Sequence, residues 1–359
     1  MNDRQRERIS LVQTMFPDGI PRLWCPLLTH YRDDKTIDFD RMEAHFAYIL
    51  PWVKGFLIPG STGDGWELTE EETLQVAEFA VAHTRNKKDV HLLIGLLRPD
   101  VKGVKGTLSA MKGRNVFHLR ENKRAGPVIS PHHICGITIC PPRGKALSQV
   151  KIDSGLSEIM DMNLPTALYQ LPQVTENEAV PETFARLTEK YSNLIFFKDS
   201  SGNDGIASSL VDKGGVFLVR GAEGDYARWL KETGGPYDGL LLSTANSFPR
   251  ELRSVIDNLE RGDFKAAVET SGRLSAVIGE IFAIVQPLTH GNVFTNANKA
   301  IDHFLAHGSN AASRLGPLIH AGVRLPWEIL STTGKALDSQ GFLPERGYWD
   351  GSREIRCQH

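Results

Sequence analysis

Cysteine is scarce in this chain: four residues of 359, Cys25, Cys135, Cys140 and Cys357, stand far apart with no paired spacing. That argues against a disulfide framework and a paired-cysteine zinc site, and it fits a reducing compartment, so the expected location is the cytoplasm. Long apolar runs are lacking as well. No stretch approaches eighteen residues, and Met1 to Arg8 is polar and charged with no apolar segment behind it. The expectation is a protein neither exported by such a signal nor threaded through a membrane. An excess of one charge is also missing, since the net charge is −2 and the pI about 6.6. No global positive field draws the chain to nucleic acid or an anionic surface, and the expected partner is a small molecule. There is no internal repeat and no low-complexity segment. What remains is an ordinary globular composition, 41% hydrophobic and 23% charged, that fits one large domain or two smaller ones.

Short apolar runs recur between longer amphipathic stretches: Arg22 to Leu28, Gly55 to Pro59, Val90 to Ile94, Gly136 to Cys140, Thr166 to Tyr169, Leu194 to Lys198, Val216 to Val219 and Gly239 to Leu242. The segments between them read as helices. In Thr69 to Thr84, Leu74, Ala77, Phe79, Ala80 and Val81 make a broad apolar face, and Thr69 precedes Glu72 at capping-box spacing. Near-continuous apolar strands alternating with helices predict a covered parallel sheet, and eight such units predict an α/β fold of the (β/α)8 TIM-barrel type. The expected barrel spans 20–247, with an inserted segment at about 114–133. Lys102, Lys105, Lys112, Arg114, Arg120, Lys123 and Arg124 make the region of the insertion basic, which suits a solvated loop or an anion-binding one. Helical stretches from Phe248 to Arg261, Phe264 to Val285 and Asn296 to His307 predict a C-terminal helical part over 248–327. Residues 328–359 read as a polar tail.

Lys198 closes the run Leu194-Ile195-Phe196-Phe197 and precedes the polar turn Asp199-Ser200-Ser201-Gly202. A stem buried among aromatic and branched side chains disfavours the ammonium, lowers its pKa, and leaves a free amine able to attack a ketone. Residue type alone equally admits a lysine that snorkels from a strand end to water. The neighbouring motifs separate the two readings. Gly60-Ser61-Thr62-Gly63-Asp64 follows the second strand, Tyr169-Gln170-Leu171-Pro172 the fifth, Lys198 to Gly202 the sixth, and Ser243-Thr244-Ala245-Asn246 the eighth. In a barrel of this type, chemistry sits at these strand ends.

As a set, with Leu28-Thr29, Ile37-Asp38, Asn292-Val293-Phe294 and Asn298-Lys299, these motifs resemble the N-acetylneuraminate lyase and dihydrodipicolinate synthase family of class I, Schiff-base pyruvate-dependent aldolases. The resemblance spans about Leu23 to Leu325. It implies that Lys198 forms the Schiff base and that Tyr169 relays protons. It also implies that Ser61, Thr62 and Gly63 cradle the ketoacid carboxylate, where Gly63 permits a positive backbone dihedral or a close approach. Gly221 and Glu223, after the seventh strand, and Leu242 and Ser243, at the eighth, are expected to meet the substrate's polar tail. No cofactor and no metal is implied, and family members are commonly tetramers built from dimers.

Two departures bear on the substrate. Dihydrodipicolinate synthases usually carry a Thr-Pro-Tyr-Tyr run where this chain has Cys140-Pro141-Pro142-Arg143, at the place of a dimer contact. They also place a carboxylate-binding arginine where this chain has Val174. Arg143 either supplies a replacement cation or solvates its loop. The expected activity is therefore a Schiff-base lyase on pyruvate or a related 2-oxo acid, by aldol cleavage, condensation or dehydration, with a 2-keto-3-deoxy sugar acid-like substrate. The alternatives are a true dihydrodipicolinate synthase, using aspartate semialdehyde, and a sensor that binds a 2-oxo acid without turnover. A metal-dependent aldolase built on His132, His133 and Cys135 is disfavoured, because adjacent histidines diverge and the segment precedes its strand.

Overall fold

The structure is a computed structural model that describes residues 2–122, 126–130 and 133–349. Ten strands follow in chain order: β1 Leu23–Cys25, β2 Gly55–Ile58, β3 His91–Gly95, β4 His118–Asn122, β5 Gly126–Ser130, β6 Ile134–Ile139, β7 Thr166–Gln170, β8 Leu194–Asp199, β9 Phe217–Arg220 and β10 Gly239–Leu241. Eight of them close into a parallel barrel in the order β1-β10-β9-β8-β7-β6-β3-β2, so the expected (β/α)8 TIM barrel is the observed fold.

Alternation along the strands sorts the apolar residues into two layers. Trp24, Leu57, Leu93, Cys135, Ala167, Phe196, Val219 and Leu241 fill the interior, while residues such as Phe56, Ile94, Ile137, Leu168, Phe197 and Leu240 pack outward against the helices. The helix Glu70–Thr84 begins where its capping box requires. The Thr69 side chain accepts from the Glu72 N–H, and the Glu72 carboxylate accepts from the Thr69 N–H.

Beyond the barrel, three segments depart from the sequence pattern. The polar N-terminus forms the helix Asp3–Met15, whose Leu11 and Met15, with the following Phe16, join the interior layer. Its Arg8 is fully buried and donates to the carbonyls of Leu194, Thr188, Tyr191 and Gly214. This helix therefore lies against the strands' N-terminal ends, opposite Lys198. The inserted segment carries the antiparallel pair β4–β5. Of its basic run, Arg114 pairs with Glu71 and Glu78 at 3.0 and 3.7 Å, and Lys105 pairs with Glu158 at 2.7 Å. Lys123, Arg124 and His132 lie outside the described residues, as does Cys357. The third segment is Trp327–Ser339, expected as polar tail. It is a helix that buries Leu330, Thr333, Ala336 and Leu337 against the preceding C-terminal helices Phe264–Val285 and Val293–His307. Among the described residues no helix is long and apolar enough to cross a membrane.

Candidate active site at the barrel mouth

β8 carries Lys198 to the C-terminal mouth, where the register pairs it with Tyr169 on β7. The lysine is buried, 4% exposed, and its Nζ lies 4.0 Å from the centroid of the Tyr169 ring. Loss of solvent around the ammonium pulls the Lys198 pKa down to about 7, with Cys140, Glu223 and Cys25 opposing that fall. Near neutral pH a large part of this amine is unprotonated and nucleophilic. Its phenolic neighbour is shifted the other way, because burial disfavours the Tyr169 phenolate.

The turn after β2 meets this pair. Trp66 Nε1 donates to Ser61 Oγ at 2.9 Å, and an indole N–H only donates, so the serine accepts there and turns its own proton to the Tyr169 hydroxyl 3.3 Å away. Ser61–Gly63 forms a single 3-10 turn, and the N–H groups that open such a turn have no acceptor one turn earlier. A carboxylate suits that place. Gly63 is required by close approach, since a Cβ there would stand 2.2 Å from the Leu27 carbonyl oxygen. Of the two reasons expected for a glycine at 63, close approach is the one observed, and the positive dihedral belongs to Asp64, with φ 59°. Asp64 is buried and accepts from Tyr31 at 2.9 Å and from Lys299 at 3.4 Å, which fixes the turn from beneath.

The C-terminal helices hold the same turn. Thr295 Oγ1 donates to the Thr62 carbonyl at 2.9 Å, and Asn292 Nδ2 to the Ser61 carbonyl at 3.3 Å. Neither residue stands out chemically in the sequence; the signal was Asn292-Val293-Phe294 recurring with the barrel motifs.

On the other side, Gly221 packs against the lysine stem. A Cβ would lie 2.2 Å from Ser200 Oγ and 2.8 Å from Lys198 Cε, so only glycine leaves the lysine its position. Arg220, ion-paired with Asp204 at 3.1 Å, holds the following loop through the Ala222 and Gly224 carbonyls at 2.7 and 3.2 Å. Glu223 accepts four bonds from the protein: Ser243 Oγ at 2.5 Å, Thr244 N at 3.1 Å, Thr244 Oγ1 at 2.7 Å and the Tyr226 hydroxyl at 3.0 Å. Four donors fill a carboxylate. Ser243 is thus at the mouth with its proton committed. The Leu242 side chain packs in the outer layer with the helices, and Leu241 is the one that points inward. Asn246 ties the turn to β1, donating to the Pro26 and Ser243 carbonyls at 3.0 Å each and accepting from Leu28 N at 2.9 Å.

The third side is apolar. Leu97, Cys140, Tyr169 and Leu171 form one buried cluster, with Trp66 and Val174 packed against it. Arg143 does not enter it; its side chain is 54% exposed and pairs with Glu176 at 3.7 Å. Cys135 points into the barrel interior, 3.3 Å from His91 Nδ1, far down β6 from the mouth. Elsewhere, the ligand atoms of His30, His45 and Asp302 gather within 4.8 Å. They already serve one another and Arg41: His30 Nε2 and His45 Nδ1 are 3.0 Å apart, and Arg41 meets Asp302 at 2.5 Å.

Comparison with known proteins finds likeness to one family. The model of the dihydrodipicolinate synthetase family matches residues 134–293. The 4-hydroxy-tetrahydrodipicolinate synthase of Methanospirillum hungatei is 24% identical over 277 residues, which cover 76% of this chain and 87% of that protein. Its counterpart in Endomicrobium trichonymphae is 25% identical over 269 residues, covering 74% and 84%. Among solved structures, YagE from E. coli K12, a prophage protein of the dihydrodipicolinic acid synthase family in complex with pyruvate, matches with a TM-score of 0.70 and 18% identity, covering 90% of this chain and 99% of that one. The dihydrodipicolinate synthase of Bacteroides thetaiotaomicron matches at 0.68 and 17%, covering 89% and 98%.

Proposed function

We propose that this chain is a lyase of the dihydrodipicolinate synthetase family, whose model matches residues 134–293, and that Lys198 forms a Schiff base with pyruvate or a closely related 2-oxo acid. The observation that carries the reading is the buried Lys198 amine, with its pKa near 7, over the Tyr169 ring at the end of β8.

In this mechanism the free amine attacks the ketone carbon and water leaves as the iminium forms. The iminium takes up the electron pair of a bond to the adjacent carbon. In an aldol cleavage that carbon–carbon bond breaks as the neighbouring hydroxyl gives up its proton and the aldehyde leaves. In a dehydration the adjacent carbon loses a proton, and the enamine so formed expels the hydroxyl of the next carbon as water. Ser61 and Thr62 hold the carboxylate through backbone N–H and hydroxyl groups. Tyr169, whose hydroxyl accepts from Ser61 and so keeps its own proton free to donate, passes protons to and from the carbinolamine oxygen and the substrate hydroxyl. Gly221 and Glu223 act as positioning residues, the first by leaving room for the lysine and the second by fixing Ser243 and Thr244.

The test is borohydride reduction in the presence of pyruvate, followed by peptide mass spectrometry. A reduced adduct on the Lys198 peptide, absent in Lys198→Ala, is the expected result. A folded protein that yields no adduct would overturn the covalent reading and favour a non-catalytic binder.

A further inference from the structure

We infer that the carbonyl partner of the 2-oxo acid is an apolar aldehyde, aromatic or branched aliphatic, seated against the wall formed by Leu97, Cys140, Leu171, Trp66 and Val174. The inference rests on the Schiff-base reading above and concerns the half of the reaction that reading leaves open.

The location follows from the proton donor. In condensation the enamine carbon attacks the aldehyde carbon, the new alkoxide takes its proton from Tyr169, and water then releases the 4-hydroxy-2-oxo acid from Lys198. Loss of that hydroxyl as water gives the unsaturated acid. For Tyr169 to reach the aldehyde oxygen, the aldehyde must lie beside the phenol, and Tyr169 is itself a member of the apolar cluster. The substituent on the aldehyde then meets that cluster's remaining side chains.

The groups expected to receive a polar tail are already engaged. A sugar-like tail needs hydroxyl partners, and the acceptor expected to supply them, Glu223, already holds four protein donors. An anionic tail needs a cation, and the arginines beside the mouth are committed. Arg98 bonds Thr73 Oγ1, Thr107 Oγ1 and the Leu97 carbonyl at 2.8, 3.1 and 3.0 Å. Arg143 is exposed beside Glu176, and Arg220 faces Asp204. An apolar ligand needs apolar side chains to pack on, with a few convergent polar groups beside them.

The experiment has two arms. After the pyruvate adduct is trapped on Lys198, condensation is followed with benzaldehyde, glyceraldehyde and aspartate semialdehyde, in wild type and in Val174→Arg. Benzaldehyde is expected to exceed both polar aldehydes in kcat/KM by about 100-fold, the order by which an apolar pocket discriminates. Val174→Arg, at the half-buried rim, is expected to cut the benzaldehyde value about 10-fold while the pyruvate adduct persists. A trapped adduct with glyceraldehyde or aspartate semialdehyde preferred, or with benzaldehyde inert, overturns the inference. If no adduct forms, the mechanism falls separately and the wall is tested by saturation-transfer NMR with benzaldehyde. Transfer that is lost in Val174→Arg supports an apolar site, and transfer absent from wild type overturns it.

Discussion

Lys198 was legible because it closes four apolar residues at a polar turn and stands with motifs at three other strand ends, which separate a buried amine from a lysine that snorkels to water. What a single strand does not reveal is which way its last residue faces. Alternation has a period of two, so a reading one residue off turns Leu242 toward the mouth, whereas the structure turns Leu241 inward. Glu223 was found by position, but its role was hidden, because its four donors come from the separate segments around Tyr226 and Ser243-Thr244. The lysine's depressed pKa makes a prediction of definite sign. Unfolded, the amine keeps its proton up to about 10.5, and folded only up to about 7, so between those values the unfolded chain binds more protons and stability rises with pH. Below pH 7 the folded state carries the whole cost of a buried ammonium. Lys198→Met removes that cost and is expected to be more stable than wild type by about 5 kcal/mol below neutrality. The gap should close as pH approaches 10.5, measured by urea denaturation at successive pH values. In wild type, pyruvate adduct formation should rise through pH 7 as the amine is freed, and a rate flat from pH 6 to 8 would contradict the assignment.

Elements were read well where one short pattern decides them. Thr69 with Glu72 starts a helix by satisfying two N–H groups at once, and the structure starts it there. They were read poorly where burial depends on a distant partner. Asp3–Met15 opens with five charged residues among its first six, yet it buries Leu11, Met15 and even Arg8 because the barrel end needs covering. Trp327–Ser339 reads as tail because its apolar stripe is narrow, and it folds against helices that precede it by tens of residues. The C-terminal helices matter for chemistry because the residues opening Val293–His307 clamp the Ser61-Thr62 turn. Asn292→Ala with Thr295→Val should therefore loosen the turn proposed to cradle the carboxylate without touching Lys198. The expected effect is a rise in KM for the 2-oxo acid of about 10-fold, the worth of one or two hydrogen bonds, with kcat changed much less. An unaltered KM in a folded double variant would separate the helical part from the site.

At the scale of the whole molecule the barrel was legible because its strands, apolar on both faces, can be buried only in a sheet that is covered outside and filled inside. The pattern fixes eight strands but is silent on how the open end opposite the chemistry is closed. Arg8 does that work by an unusual means for a cation, burying its guanidinium and spending its donors on four backbone carbonyls rather than on a carboxylate. Burial lowers its pKa to about 10, which still leaves it charged under ordinary conditions. Two of the carbonyls, those of Tyr191 and Leu194, lie at or just before the start of β8, the strand that carries Lys198 at its far end. Arg8→Met keeps most of the volume and removes every donor, leaving buried carbonyls without this partner. The expected cost is about 3 kcal/mol, a fall in melting temperature of about 4 °C for a chain of this size. Because the site is at the opposite end, KM for the 2-oxo acid and the yield of trapped adduct should stay at wild-type values below the transition. A melting temperature left unchanged would mean that the N-terminal helix rests on the barrel without closing it, and a selective loss of adduct would mean that strain at this end reaches Lys198 along β8.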